Sequence, residues 1–224
     1  LFRSNVDIAV IVVAPQPEID YYLIDKMIIN CKRVGIECAI CLNKSDLADG
    51  ELEILDAQFS KDVAAVVSVS ALSGDIGNLL PLLKDKLVCF AGQSAVGKST
   101  ISNGILGGAV RAVGSLSDRI GRGRNTTTSA EILKSDKGFS FIDTPGFSML
   151  DLFEEDYGSL AAYYDEYVAL SDCCRFHPCT HTAEPGCAVR AAAESGMLNR
   201  DRYDRYVRLY EECKNASKTR RRNR

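Results

Sequence analysis

The sequence predicts an α/β protein: a mostly parallel sheet with helices on both faces, followed by a small helical C-terminal domain stapled by a metal. Three observations predict it. Short β-branched apolar runs alternate with segments of helical period, the pattern of a parallel sheet buried on both sides. One such run, LVCFA at 87–91, leads into GQSAVGKST at 92–100 and then a helix-compatible stretch. A cluster of cysteines with one histidine lies near the C-terminus, within 174–187.

The elements follow in order. Residues 7–14 (DIAVIVVA) form a continuous β-branched run, a central strand that Pro15 and Pro17 end. Residues 18–33 place Ile19, Leu23, Met27 and Ile28 at helical spacing. Residues 37–42 (ECAICL) read as a second strand, 47–59 as an amphipathic helix and 63–69 as a third strand. A short helix is expected over 74–83. Residues 107–125 lack periodicity and carry Arg111, Arg119, Arg122 and Arg124, as a mobile surface loop would. Strands at 130–134 and 138–142 flank the turn SDKG, a hairpin signal. Residues 156–170 and 199–213 look helical. In the latter, Tyr203, Tyr206, Val207 and Tyr210 recur at helical spacing and read as core. Residues 214–224 form a basic tail, expected to be disordered, solvated and suited to nucleic acid. The expected domains are 1–155 and 156–224.

The stretch at 92–100 matches G-x-x-x-x-G-K-[ST], and its place between strand and helix makes it a phosphate-binding loop. Gly92 and Gly97 let backbone N–H groups close round phosphates, and the helix N-terminus adds positive charge. Gln93, Ser94, Ala95, Val96 and Thr100 complete the loop. Lys98 can reach the β/γ-phosphates and Ser99 can ligate Mg. Asn43-Lys44-Ser45-Asp46 stands at the carboxyl end of the second strand, where open α/β sheets bind ligands. The Asp46 carboxylate can accept two hydrogen bonds from guanine, and adenine would leave it unpaired. Such a mismatch rejects the wrong base by on the order of 10⁴. Lys44 can lie along the base and Asn43 can brace the loop. Ser70-Ala71-Leu72 ends the third strand as a second base-contacting loop, with the Ala71 N–H facing the guanine carbonyl. Among Thr126, Thr127 and Thr128, Thr127 is favoured as the Mg ligand that senses the γ-phosphate. In D-x-x-G at 143–146, Asp143 can hold Mg through water and the Gly146 N–H can contact the γ-phosphate.

Composition bounds the partners. The chain has 224 residues, 46% hydrophobic and 25% charged, ordinary globular values. Its net charge of −3 and pI of about 5.5 exclude a polycation, so any nucleic-acid contact must come from local basic clusters. No apolar run approaches the roughly 18 residues of a membrane span, and no signal-peptide pattern follows Leu1. The expected setting is the reducing cytoplasm. Of nine cysteines, Cys31, Cys38, Cys41, Cys89 and Cys213 read as buried free thiols. Cys174, Cys179, His181 and Cys187 read C-x₄-C-x-H-x₅-C, a closed tetrahedral set for one structural zinc. Cys173 and His177 are spare candidates.

The motif order is rotated. In an ordinary Ras-like GTPase the phosphate loop comes first and N-K-x-D late, whereas here Asn43–Asp46 precedes the phosphate loop. The rotated set predicts a circularly permuted Ras-like P-loop GTPase domain. Rotated order, GQSAVGKST, GRGRNTTT, DTPGF and the metal cluster together resemble the RsgA (YjeQ) family of small-ribosomal-subunit biogenesis GTPases. The resemblance spans residue 6 to about 211. It implies GTP hydrolysis in late assembly of the small subunit, contact with that subunit and its rRNA, zinc at the cysteine cluster, Mg with GTP, and a cytoplasmic monomer. The family carries an N-terminal OB-fold, and this chain starts where that fold would end. Ras-like enzymes place a glutamine after D-x-x-G, where this chain has Phe147. The family usually has a histidine where Asn125 stands, just before the threonines. Asn125, Thr127 and Lys98 are therefore the expected catalytic residues, with slow hydrolysis that the subunit stimulates. The alternative is a nucleotide-dependent RNA-binding switch with negligible hydrolysis.

Overall fold

A computed structural model of the chain describes residues 6–105, 131–134, 138–143 and 157–222. The described residues form two compact units. Residues 6–57 and 63–143 belong to the first, and Gln58–Asp62 joins residues 157–222 in the second.

The first unit is built on a six-stranded sheet of order β3-β2-β1-β4-β6-β5. Its strands are β1 (Ile8–Val13), β2 (Glu37–Leu42), β3 (Val66–Ser68), β4 (Leu87–Ala91), β5 (Glu131–Lys134) and β6 (Ser140–Asp143). All pairings are parallel except β5 with β6, the expected hairpin partners. Every residue of β1 is buried, as a central parallel strand requires. Ile8, Val10 and Val12 pack with Leu79, Leu83, Ile101 and Ile105 in one core. The alternate residues Ala9, Ile11 and Val13 are equally buried, and α1 (Tyr21–Val34) packs on β1 and β2. The chain runs β1, β2, β3 outward on one side, then returns to place β4 on the other side of β1. The carboxyl ends of β1 and β4 therefore meet at the topological switch point, the ligand site of such sheets.

Helix boundaries differ from expectation for local reasons. Helix α1 starts at Tyr21 rather than at residue 18, because Asp20 caps it by accepting from the Leu23 N–H at 2.9 Å. It ends at Gly35, whose φ of 72° supplies a left-handed cap. The segment expected as one helix over 47–59 is a 3₁₀ turn at Ser45–Leu47 and then α2 (Glu51–Phe59). Gly50, at φ 89°, breaks it. Over 74–83 only α3 (Leu80–Leu83) is helical, with Gly74 at φ 82° and Ser70 bridged to Asp75. Edge strand β3 is shorter than 63–69 and pairs only with β2. Helix α4 (Lys98–Ile105) follows the glycine-rich loop.

The second unit is helical: a 3₁₀ segment (Tyr157–Tyr163), α5 (Asp165–Ser171), α6 (Ala188–Glu194) and α7 (Arg200–Arg222). Its core is a tyrosine cluster. Tyr164 and Tyr167 stack at 4.8 Å, and both meet Tyr206 edge-on at 5.2 and 5.0 Å. Tyr203, Tyr206 and Tyr210 are buried, as the helical stripe predicts. The expected disordered tail is instead continuous with α7 through Arg222. A packed stripe nucleates the helix, and pairs such as Lys214–Glu211 at 3.0 Å help it propagate.

Arg202 is buried in this unit, 4% exposed. Its Nη1 lies 2.7 Å from Asp62 Oδ2 and donates to the Gln58 carbonyl at 2.6 Å. Its guanidinium covers the rings of Phe59 and Tyr164. Asp62 Oδ1 in turn accepts from the Asp165 N–H at 3.1 Å. These bonds hold Gln58–Asp62 within the helical unit. None of the described helices is long and apolar enough to cross a membrane.

Candidate nucleotide site and candidate metal centre

Among the loops that leave the carboxyl edge of the sheet, Asn43 ties together those after β2, β3 and β4. It follows β2 and is 2% exposed. Its Nδ2 donates to the Val96 carbonyl at 2.9 Å, in the glycine-rich loop. Its Oδ1 accepts the Ala71 N–H at 3.1 Å, in the loop after β3. That N–H, expected to face a guanine carbonyl, thus serves the brace between loops. Asp46 is exposed, and its Oδ1 accepts from Ser70 Oγ at 2.6 Å, which orients the carboxylate and leaves its other oxygen for a ligand. Lys44, at φ 58°, donates through Nζ to the Gln16 carbonyl at 2.6 Å and the Ala95 carbonyl at 3.0 Å. Its side chain therefore bridges the exit of β1 and the glycine-rich loop. Leu72 is 90% exposed, and Ser45 opens the 3₁₀ turn.

The glycines of the loop are required by space as well as by conformation. Gly92 has φ 133°, and a Cβ there would lie 2.1 Å from the Val12 carbonyl oxygen. Gly97 has φ 95°, and its Cβ would lie 2.2 Å from Asn43 Nδ2. Lys98 Nζ donates to the carbonyls of Gly92 and Gln93 at 2.8 and 2.5 Å, so the ammonium is held inside the curve of the loop. Burial lowers its pKa from the ordinary lysine value. A phosphate entering the loop would exchange those two neutral acceptors for anionic oxygens. Ser99 is exposed in the first turn of α4, with Gln93, Ser94, Ala95 and Thr100 around the same loop. Asp143 ends β6, next to β4, which feeds the loop. Of Asp143 only the backbone is described, and Asn125, Thr127, Gly146 and Phe147 lie outside the described residues.

In the second unit, the ligand atoms of Cys174, Cys179, His181 and Cys187 all lie within 4.8 Å of one another. Cys174 Sγ and Cys187 Sγ stand 3.6 and 3.4 Å from His181 Nδ1. A tetrahedral zinc with ordinary Zn–S and Zn–N lengths has an S···N edge of about 3.6 Å. The donor set and its spacing therefore fit zinc. Burial pushes the Cys179 thiol up to about 12, with Cys187 and Cys174 adding to it, and burial also raises Cys187. Packed thiols of this kind ionise when a cation is present to hold them. Backbone donors are already in place: Ala188 N–H to Cys174 Sγ and Arg190 N–H to Cys187 Sγ, both at 3.4 Å. Cys187 is also the N-cap of α6. Cys173 and His177 are exposed and stand outside the cluster. Cys31, Cys38, Cys41, Cys89 and Cys213 are buried and form no disulfide, and burial alone raises Cys41 to about 12.

Glu184 has no motif to announce it, yet it organises the loop between the ligands. Its carboxylate accepts from Thr180 N–H at 2.8 Å, Thr180 Oγ1 at 2.6 Å, Thr182 N–H at 3.1 Å and Ala183 N–H at 3.2 Å. Burial acts to raise its pKa, but these bonds prevail and hold the carboxyl at about 2. Tyr203 and Tyr206 donate their hydroxyls to the carbonyls of His181 and Thr180, at 2.9 and 2.5 Å.

An N-K-x-D loop that precedes a G-x-x-x-x-G-K-S loop, both on the carboxyl edge of one mostly parallel sheet, is the arrangement of a circularly permuted P-loop GTPase. The chain belongs to the RsgA GTPase family, whose model matches residues 1–153. It is 41% identical over 214 residues to the small ribosomal subunit biogenesis GTPase RsgA of Ruminiclostridium cellulolyticum, covering 94% of this chain and 70% of that one. The RsgA of Thermotoga neapolitana is 36% identical over 222 residues, with 96% and 74% covered. Among solved structures, YjeQ from Thermotoga maritima superposes with a TM-score of 0.77 at 33% identity, over 93% of this chain and 72% of that one. YloQ, described as a circularly permuted GTPase, gives 0.75 at 28% identity, over 94% and 69%.

Proposed function

We propose that this chain binds GTP and hydrolyses it to GDP and phosphate during late maturation of the small ribosomal subunit. The observation that carries the nucleotide reading is the Asn43 brace, which locks the base loop, the loop after β3 and the phosphate loop into one unit. Membership of the RsgA GTPase family, and the names of the relatives, support the process. Asp46, oriented by Ser70, selects guanine. Lys98 neutralises the β/γ-phosphates. Ser99, Thr127 and Asp143 would hold Mg, which supplies charge neutralisation at the phosphates when bound. Cys174, Cys179, His181 and Cys187 would hold one structural zinc.

Hydrolysis by the isolated chain is slow. Phe147 carries no group to orient water, and the Asn125 amide can position one but cannot act as a base. The small subunit and its rRNA complete or order the site, with the basic end of α7 among the phosphate contacts. The protein works in the cytoplasm as a monomer. The test is phosphate release against small-subunit concentration, for this chain and for Asn125→His. Stimulation by subunits, with a faster basal rate in the variant, is expected. A flat response to subunits favours the alternative, a nucleotide-dependent RNA-binding switch. Preference for ADP over GDP in competition would overturn both.

A further inference from the structure

His181 is 2% exposed, and each of its ring nitrogens faces a different environment. Nδ1 faces the sulfurs of Cys174 and Cys187. Nε2 faces Ser171 Oγ, 3.3 Å away at the end of α5. Ser171 has a single hydroxyl hydrogen, and it is committed: Oγ donates to the Tyr167 carbonyl one turn back, at 2.7 Å. Toward the histidine, Ser171 offers only lone pairs. The bond is made only if Nε2 carries the hydrogen. A neutral ring protonated at Nε2 has its free lone pair on Nδ1, which is the atom among the sulfurs.

We propose that Ser171 is a positioning residue for the metal centre: it selects the Nε2–H tautomer of His181 and so presents Nδ1 as the fourth ligand. The relay runs from the Tyr167 carbonyl through Ser171 and the imidazole to the metal position. It rests on the reading of the cysteine–histidine cluster as a zinc site. The rest of the setting fixes the ring in that orientation. His181 has φ 59°, and the Tyr203 hydroxyl holds its carbonyl. Tyr167 packs edge-on against the imidazole at 6.1 Å. One α5 turn therefore provides both the acceptor for the serine and the wall for the ring.

The test uses the full chain loaded with zinc, as wild type, Ser171→Ala and Ser171→Thr. Zinc affinity is read by competition with a chromophoric chelator, and the His181 tautomer by long-range ¹H–¹⁵N NMR. The wild type is expected to show a metallated Nδ1 and a protonated Nε2. Ser171→Ala should weaken zinc about 10-fold, the lower end for loss of an outer partner to a ligating histidine. Ser171→Thr keeps the hydroxyl and its bond one turn back, and should restore affinity to within about threefold of wild type. Zinc bound through Nε2 in the wild type overturns the proposal without any variant. So does an alanine variant that binds zinc within about twofold of wild type. A wild type that takes up no zinc would defeat the underlying metal reading instead.

Discussion

Asn43 and Gly97 occupy adjoining space: the amide that donates to the Val96 carbonyl sits where a Cβ on Gly97 would lie, 2.2 Å from Nδ2. The glycine thus makes room for the asparagine that joins the base loop to the phosphate loop. Gly97→Ala forces either a displaced Asn43 or a shifted loop, at a φ that side chains rarely adopt. A strained backbone position costs about 1–3 kcal/mol, and an orphaned buried amide adds about 1–3 kcal/mol. GDP affinity should fall at least about 10-fold, a loss of about 1.4 kcal/mol. Gly92→Ala should be worse, because its obstacle is the backbone of β1 rather than a side chain. Titration with a fluorescent guanine nucleotide checks both; an alanine at 97 with unchanged affinity would refute the brace.

How much of this was legible depends on how local each cause is. β1, β2 and β4 could be read to within a residue or so, since a continuous β-branched run bounded by proline or a motif has few alternatives. The loop motifs could be placed at strand ends for the same reason. The break at Gly50 and the cap at Asp20 are also local, but they compete with a good apolar period that conceals them. What the Ala71 N–H does was not legible, because its acceptor Asn43 lies 28 residues away. Arg202 reads as one more surface cation on a charged helix, and nothing near it in sequence points to Asp62. Glu184 and Ser171 likewise belong to no motif. Their contacts come from how the loop of 180–184 and the end of α5 fold around the cysteine–histidine cluster.

The Arg202–Asp62 pair makes a second prediction. Both side chains are withdrawn from water, at 4% and 0% exposure. Removing one partner of a buried pair costs about 3–5 kcal/mol, because the other charge is left behind. Arg202→Met should destabilise the helical unit on that scale, and Asp62→Asn less, because Arg202 Nη1 keeps Glu166 Oε1 at 3.5 Å. The double variant should recover part of the loss. Near-ultraviolet circular dichroism of the tyrosine cluster follows the unfolding. Strictly additive losses would show that the pair is not coupled.

Metal removal should act on the same unit by a different route. The loop carrying the ligands contains little apolar surface, and α6 has only 7 residues. A metal bound at the cluster would supply folding free energy, as it does in small metal-stapled modules. A strong chelator, or Cys179→Ser, should expose residues 172–187 to protease and reduce helical circular dichroism. Readded zinc should reverse the chelator effect. Protease resistance that persists in the metal-free chain would mean that the tyrosine clamps and Glu184 suffice.

Glu184 gives this loop a pH dependence with a definite sign. Its carboxyl is held at about 2 in the folded chain, against about 4.3 when unfolded. A depressed carboxyl contributes stability that is fully present above the unfolded value and lost as pH falls through the folded one. Glu184→Gln lacks that titration and keeps only neutral hydrogen bonds to Thr180, Thr182 and Ala183. The stability gap between wild type and variant should therefore be widest above about pH 5 and shrink steadily as pH falls towards about 2. Thiolate protonation and metal loss also act in acid, but they act on both proteins and leave the difference to Glu184. Parallel thermal unfolding between pH 7 and pH 3 measures the gap. A gap that stayed constant or widened in acid would mean that the four bonds to the carboxylate are not what holds the loop.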